Sequence, residues 1–237
     1  MSQHIEWELI VALSSSAIGY CLYYFLGIKK HLCTTLLDGR LKQAKFSVVC
    51  VLVRRFLGVV FLGILPLLAI YLLTEVRLEQ TGISLPRGKA YLLWTLLGCS
   101  LVILINTLAA RTPENLELYP EFRTSSWTLS LLILSSITWI AFLIAYEMMF
   151  RGIILLTLER SFGATVAIIS SVLLYALAHM YKGSRETAGA VPFGIFISWL
   201  TIISHSIIPA IIVHSCTALS NEYLSIYYSR KRQGLNK

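Results

Sequence analysis

The chain has 237 residues, of which 57% are hydrophobic and 14% are charged, and its mean hydropathy is +0.74. Soluble domains carry about 25% charged residues, so this composition excludes an ordinary soluble domain and favours an integral membrane protein. The net charge of +8 comes from 20 basic and 12 acidic residues. No basic stretch is interleaved with aromatic residues, so nucleic acid is not expected as a partner.

The apolar residues fall into long runs that predict an all-α, polytopic transmembrane helical bundle of about seven spans. The segment Met1–Glu8 has no Lys or Arg, whereas a secretory signal begins with a basic region, so we expect the first run to be a retained span. The fourth run would form a helix of roughly 48 Å, longer than the ~30 Å hydrocarbon core, which predicts a bend or an interfacial start. The predicted spans are Leu9–Ile28, Phe56–Thr74, Tyr91–Ala110, Trp127–Leu158, Ala164–Met180, Ala190–Ser204 and Ile207–Tyr228.

The basic residues outside the spans predict how the chain is oriented. Cytoplasmic connectors carry an excess of Lys and Arg, and both the first connector and the C-terminal tail are basic. We therefore expect an integral protein of the bacterial inner (cytoplasmic) membrane, with its N-terminus out and its C-terminus in. Arg54 and Arg55 are expected to reach the lipid headgroups. The basic residues in question are Lys29, Lys30, Arg40, Lys42 and Lys45 in the connector, and Arg230, Lys231, Arg232 and Lys237 in the tail.

The five cysteines do not form the pattern of a disulfide framework or of a metal site. They are scattered, they include no C-x-x-C pair, and four of them lie in apolar segments. We interpret them as small hydrophobic residues rather than as disulfides or metal ligands. They are Cys21, Cys33, Cys50, Cys99 and Cys216.

Glu147 and Arg151 are charged residues inside the fourth apolar run, where an unneutralised charge is costly. Because they are four residues apart on one helix, they share a face and can pair. Two interpretations stay open: a neutralised ion pair that helps helices associate, or a catalytic carboxylate held by its arginine.

Two histidines on other helices can join this pair. His179 lies at the end of the fifth span. Counted along the two helices, its depth in the membrane is within about one helical turn of that of Glu147, so the two side chains could meet. The alternative is that His179 is simply an interfacial residue. His214 lies in the middle of the seventh span, where an imidazole needs a hydrogen-bond partner, a metal or a proton-transfer task. A carboxylate with two histidines suits either general-base activation of water or a zinc site. The sequence contains no H-E-x-x-H and no G-x-S-x-G motif.

Four short motifs follow one another in the C-terminal half, each on its own apolar run. Tyr146–Gly152 corresponds to the pattern EExxxR, and Tyr175–His179 corresponds to FxxxH. Phe193 and Gly194 are a weak form of FxxGxxxG, and His214–Ala218 corresponds to HxxxN. In order and spacing these motifs resemble the CPBP (CAAX-protease and bacteriocin-processing, Abi) family of intramembrane proteases.

This resemblance covers Trp127 to Tyr228 and implies a CPBP-like catalytic core at 127–228. The apolar runs and the basic residues add N-terminal transmembrane helices and connectors at 1–126 and a basic cytoplasmic tail at 229–237. In the family, the paired glutamates and the first histidine are thought to activate water, and the last histidine and the asparagine to stabilise the oxyanion. By resemblance, the catalytic residues are Glu147, Arg151, His179 and His214.

Two positions depart from the family pattern. Tyr146 stands where the first glutamate is expected, and Ala218 stands in place of the asparagine. Asn221 lies two helical turns after His214 on almost the same face, which makes it the candidate replacement for the missing amide.

The resemblance predicts an intramembrane endopeptidase that hydrolyses a peptide bond of a membrane-associated protein or peptide within the lipid bilayer. Glu147 would be the general base, assisted by His179, and His214 would stabilise the oxyanion. The expected cofactor is a divalent metal such as zinc, or none. The alternative is a catalytically inactive CPBP-like membrane scaffold, regulator or bacteriocin-immunity protein, which Tyr146 and Ala218 favour. A transporter is disfavoured because no inverted repeat or pair of broken helices is present.

Overall fold

The computed structural model describes residues 3–29, 33, 43–124, 126–232 and 234. Within these ranges all regular elements are helical, and we number the helices α1 to α8. Four predicted basic positions, Lys30, Arg40, Lys42 and Lys237, lie outside the described residues. The helices are α1 (Gln3–Tyr23, continued by a π-helix at Tyr24–Ile28), α2 (Gln43–Gly58, continued by a π-helix at Val59–Ile64 and by Leu65–Leu73), α3 (Ala90–Ala109), α4 (Pro113–Leu118), α5 (Leu129–Glu147, continued by a π-helix at Met148–Leu155 and by Leu156–Phe162), α6 (Ala164–His179), α7 (Ser184–Ser204) and α8 (Ile208–Arg232).

Six of these helices are long and apolar enough to cross a membrane, namely α1, α2, α3, α5, α6 and α7. The seventh predicted span is present as α8, but this helix is more polar because it carries His214, Asn221 and Glu222. It packs along α3, α5 and α7 and so belongs to the same bundle. The predicted all-α, polytopic membrane bundle is therefore confirmed.

The ends of the helices differ from the predicted spans where polar residues extend a helix beyond its apolar run. Helix α7 begins at Ser184 rather than at Ala190, so most of the gap at 181–189 between the fifth and sixth predicted spans forms its first turns. The gap at 159–163 between the fourth and fifth predicted spans is reduced to Gly163, since α5 continues to Phe162. Gly163 has a φ of 83°, which a residue with a side chain rarely adopts.

The fourth predicted span is one long helix that contains a π-helical segment between two α-helical parts. Helix α5 begins at Leu129, directly after Thr128. The side chain of Thr128 accepts a hydrogen bond from the backbone N–H of Leu131 and so caps the N-terminus of the helix. Further on, the helix widens into a π-helix over Met148–Leu155. Such segments close i→i+5 hydrogen bonds, which changes the direction in which successive side chains point, and they are frequent at functional sites.

One pair of cysteines contradicts the interpretation of all five as simple hydrophobic residues. Cys33 and Cys50 form a disulfide, with their Cα atoms 5.6 Å apart, a separation that a disulfide readily bridges. They are 17 residues apart in the chain, and no short spacing motif predicts that they pair. Cys21, Cys99 and Cys216 are free.

Arg55 was predicted to reach the lipid headgroups, but it is buried inside the bundle. Its side chain is 2% exposed, and it donates hydrogen bonds to Glu121, at 2.9 Å, and to the carbonyl of Ser135, also at 2.9 Å. The guanidinium lies 4.3 Å from the centre of the Trp139 ring. Arg54 also pairs with Glu121, at 2.5 Å. The loop between α4 and α5 is thus anchored to α2 through Glu121.

The bundle has two distinct ends, and the candidate site lies between them. At the N-terminal end, which holds Glu8 and the loop at 74–89, Trp7 donates a hydrogen bond to the carbonyl of Leu73 at 2.7 Å. At the C-terminal end, which holds α4 and the last turns of α8, Asn115 donates to Ser225 at 2.8 Å. These contacts fasten the connecting loops to the helices at both ends.

Candidate functional site

Glu147 is the last residue of the α-helical part of α5 and is completely buried. Its carboxylate has two close neighbours, an imidazole and a guanidinium. Nδ1 of His214, on α8, lies 2.5 Å from Oε1, and Nε of Arg151 lies 3.2 Å from Oε2. The predicted Glu147–Arg151 pair is therefore formed, and His214 completes it from another helix. A carboxylate buried in this way needs such partners to stay ionised.

Arg151 lies within the π-helix and is also completely buried. Its guanidinium lies 4.2 Å from the centre of the Tyr175 ring on α6, a cation–π arrangement. Among the described residues, none of its three guanidinium nitrogens has a hydrogen-bond partner, so its contact with Glu147 is an ion pair without hydrogen-bond geometry. The cation is thus held mainly by Glu147 and by aromatic faces.

Gly194 makes room for this arrangement. A Cβ atom at this position would lie 3.2 Å from the Tyr175 ring and 3.6 Å from Nη2 of Arg151. A larger side chain would push α7 away from α6 and from the buried guanidinium. The weak third motif therefore retains its glycine at the point where α7 passes the site.

His179, at the end of α6, contacts Tyr146 and not Glu147. Its Nδ1 lies 2.9 Å from the backbone carbonyl of Tyr175 and 3.4 Å from the hydroxyl of Tyr146. No hydrogen bond or ion pair joins Glu147 to His179 in the described part of the chain. The predicted meeting of these residues assumed a regular helix from Glu147 onwards, whereas a π-helix begins at Met148.

A cavity of about 940 Å³ lies beside these residues, between α3, α5, α6, α7 and α8. Both His179 and His214 line it, whereas Glu147 does not. Its wall is mostly apolar, and the part near the two histidines is aromatic, with Trp139, Phe142, Tyr146, Tyr175 and Phe193. Charged residues line the portion of the cavity that lies at the C-terminal end of the bundle. They are Glu114, Glu117, Lys182, Arg185 and Glu186. An apolar cavity with a few convergent polar groups is the usual form of a ligand site.

Asn221 lines the same cavity but does not join the histidines. Its side chain is buried, and its Oδ1 has no hydrogen-bond partner among the described residues. Seven helical residues separate it from His214, which corresponds to roughly 10 Å along α8. Ala218, one turn after His214, also lines the cavity and offers only a methyl group.

The described side chains do not form a convincing zinc site. Glu147 and His214 come together, but the described ranges contain no group of three or more His, Cys, Asp or Glu residues that could hold a metal ion. A zinc site generally needs three or four protein ligands. The chemistry proposed for the site therefore uses no metal-dependent step.

The aromatic wall is the part of the site that sequence reasoning missed. Trp139, Phe142, Tyr146 and Phe150 recur at a spacing of three or four residues, which predicts one face of a helix. Successive rings along this face are 5.9, 5.7 and 4.8 Å apart between centres. Trp139, Phe142 and Tyr146 line the cavity, whereas Phe150 does not, so the helical spacing of the first three could have identified the face of α5 that borders the cavity.

Residues 125–220 match the model of a protein family described as type II CAAX prenyl endopeptidase Rce1-like. This match supports assignment of the chain to the CPBP/CAAX protease family. The match includes all four motifs and ends one residue before Asn221. At the level of the family, it supports a CAAX-type intramembrane protease. No curated protein and no solved structure is significantly similar to the chain.

Proposed function

We propose that this CPBP family member is an intramembrane endopeptidase that hydrolyses a peptide bond of a membrane-associated protein or peptide. The observation that carries the proposal is the 2.5 Å contact between Glu147 and His214, with His214 at the wall of a large cavity inside the bundle. An ionisable pair is costly within a membrane and is usually retained there for a function.

His214 is the general base in this proposal. An ionised carboxylate only accepts hydrogen bonds, so the contact with Glu147 places a proton on Nδ1 of His214. Nε2 is then free to take a proton from a water molecule in the cavity. Serine proteases use an aspartate and a histidine in the same relationship, in which the carboxylate fixes the tautomer and stabilises the imidazolium that forms.

Glu147 and Arg151 are positioning residues in this scheme. Glu147 is completely buried and does not line the cavity, so it acts through His214 and does not touch water itself. This differs from the base role expected for Glu147 from the family pattern. Arg151 supplies the positive charge that keeps Glu147 ionised, because an isolated carboxylate in an apolar interior would take up a proton.

His179 offers a second acceptor to the attacking water. The carbonyl of Tyr175 can only accept a hydrogen bond, so Nδ1 of His179 carries the proton that this contact requires. Nε2 is left with a lone pair, and His179 lines the cavity. Two acceptors, one on α6 and one on α8, would orient a water molecule between them.

The cavity favours a substrate that combines an apolar portion with a polar peptide backbone. Its aromatic wall would bind apolar side chains or a lipid-like group, and the charged residues at the C-terminal end would bind polar groups. The description of the matched family names prenylated CAAX proteins as substrates. For this chain we propose only the broader class of membrane-associated proteins and peptides.

The second candidate is a catalytically inactive scaffold, regulator or bacteriocin-immunity protein. Tyr146 and Ala218 favour it, because they replace two side chains that the family pattern assigns to catalysis. The retained cluster of Glu147, Arg151 and His214 favours the peptidase, because a scaffold has no need of a buried ion pair that touches an imidazole.

The proposal can be tested before the substrate is identified. Membranes that contain the wild-type chain are compared with membranes that contain the His214→Ala variant. Mass spectrometry of new peptide termini should find one or more cleavages with the wild type and none of them with His214→Ala. The Tyr227→Phe variant, changed at an exposed position on the same helix, should cleave as the wild type does. Identical termini with the folded wild type and His214→Ala would reject the peptidase and favour the scaffold.

A further inference from the structure

Tyr146 stands between the two histidines that line the cavity. Its ring centre is 5.9 Å from that of His214 and 6.0 Å from that of His179, and it meets both rings edge-on. The side chain is 6% exposed and forms part of the cavity wall. A residue that departs from the family pattern therefore occupies the centre of the candidate site.

The hydroxyl group of Tyr146 has a proton to donate and no acceptor for it in the described part of the chain. Its polar neighbour is Nδ1 of His179, at 3.4 Å, which is long for a hydrogen bond. That nitrogen already donates to the carbonyl of Tyr175 at 2.9 Å, so it carries a proton and cannot accept another. The phenolic O–H is thus left for a group that enters the cavity.

Beside the two histidines, the described residues offer no other donor where peptide hydrolysis needs one, since the amide of Asn221 lies roughly 10 Å along α8 from His214. Attack on a carbonyl produces an oxyanion, which is stabilised by hydrogen-bond donors aimed at the developing charge. Ala218 has no donor in place of the family's asparagine. Nε2 of each histidine is an acceptor in the tautomers that Glu147 and Tyr175 impose.

We infer that the Tyr146 hydroxyl is the oxyanion donor of this protein, in place of the missing asparagine. This inference rests on the proposed function and adds a catalytic residue to it. A neutral phenol that is buried from bulk solvent, as that of Tyr146 is, makes an effective donor to an oxyanion, because its surroundings screen the interaction less than bulk water does.

In the proposed step, the oxygen of water bonds to the carbonyl carbon while Nε2 of His214 takes one of its protons. The carbonyl oxygen becomes negative and accepts a hydrogen bond from the Tyr146 O–H. The carbon–oxygen double bond then re-forms, the carbon–nitrogen bond breaks, and the imidazolium of His214 gives its proton to the departing amine. Tyr146 keeps its proton throughout.

Tyr146→Phe removes only the hydroxyl and retains the ring that packs between the histidines. With a peptide cleaved by the wild type, and with the full chain in liposomes, kcat should fall by about 10²- to 10³-fold while KM stays unchanged. A phosphinate analogue of that peptide, whose tetrahedral P–O⁻ mimics the oxyanion, should bind more weakly by about the same factor. Tyr23→Phe, which changes a buried tyrosine outside the cavity, is the matched control and should retain both values.

The outcomes separate this inference from the proposed function. If the wild type cleaves peptides and Tyr146→Phe retains its kcat and its affinity for the phosphinate, Tyr146 is not the oxyanion donor and the peptidase stands. If kcat falls while the phosphinate binds as before, Tyr146 acts only through the position of His179, and the inference is also overturned. If the folded wild type cleaves nothing, the proposed function fails and the inference falls with it.

Discussion

The carboxylate of Glu147 lies 2.5 Å from Nδ1 of His214, although 67 residues separate them in the chain. Each residue comes from a different helix of the bundle, and each belongs to a different motif of the CPBP pattern. Arg151 contacts the other carboxylate oxygen at 3.2 Å, so a single buried carboxylate joins two cationic or potentially cationic partners. The proposed chemistry depends on this carboxylate.

Arg151→Met should destabilise the protein by about 3–5 kcal/mol, because it leaves Glu147 buried without its permanent positive partner. The double variant Glu147→Gln/Arg151→Met should unfold less readily than Arg151→Met alone, since neither buried charge remains. Denaturant titration in detergent micelles measures both effects. Arg185→Met, at an exposed position, is the control. Additive losses in the double variant would contradict a direct coupling of the two charges.

The Glu121 network should make part of the protein's stability depend on pH. Burial alone would raise the pKa of Glu121, but Arg54 and Arg55 lie against its carboxylate and hold the pKa below its ordinary value of 4.5. The native state therefore binds this proton less readily than the unfolded state does. The carboxylate stabilises the fold above about pH 4.5, and this contribution is lost as the pH falls through the lower native pKa.

Glu121→Gln should consequently lower the free energy of unfolding at about pH 7 and show a smaller loss of stability on acidification to about pH 3. Denaturant titration at each pH gives the comparison. Glu117→Gln, a neighbouring exposed position, should follow the wild-type profile. If Glu121→Gln lost as much stability on acidification as the wild type, the network would not be the source of the effect.

Gly189→Trp should block the cavity and leave the fold intact. Gly189 lines the cavity, and a Cβ atom added there would have no neighbour within 4 Å, so α7 can carry a larger side chain. We expect KM for a cleaved peptide to rise at least about tenfold, with an unchanged melting temperature. Gly189→Ala tests the same position without the bulk and should leave KM within about twofold. An unaffected KM in the tryptophan variant would mean that the substrate does not occupy this cavity.

Labelling with a membrane-impermeant maleimide tests the predicted orientation. Leu85→Cys lies in an exposed position at the N-terminal end of the bundle, and Arg185→Cys lies at the C-terminal end beside the cavity. With Cys21, Cys99 and Cys216 replaced by Ala, reagent added outside intact cells should label the first variant only. Both should react after the cells are opened. Labelling of Arg185→Cys alone in intact cells would reverse the proposed orientation.

Much of the bundle and part of the site could be predicted from the sequence, because both depend on strong local signals. Long apolar runs predict membrane helices, and charged residues within them are rare enough to indicate a site. The spacing of Glu147 and Arg151 predicted their pairing, which the structure shows. The motif order identified His214, whose contact with Glu147 could be placed only once the helices were packed.

The remaining features depend on contacts that are distant in sequence or on local departures from regular helix geometry. The π-helix after Glu147 left His179 beside Tyr146, and no residue pattern in that segment predicts it. Arg55 and Glu121 are 66 residues apart, so an arginine expected at the headgroups pairs instead with a loop that folds back into the bundle. The start of α7 was placed too late because its first turns are polar.

The kcat of Glu147→Gln tests the central claim most directly, since this change retains the size of the side chain and removes the charge that fixes the tautomer of His214. For a peptide cleaved by the wild type, we predict a fall in kcat of about 10³-fold or more with little change in KM, while Glu79→Gln, at an exposed position, retains wild-type kinetics. A folded Glu147→Gln protein with a kcat within about tenfold of the wild type would contradict the claim that Glu147 and His214 activate the water.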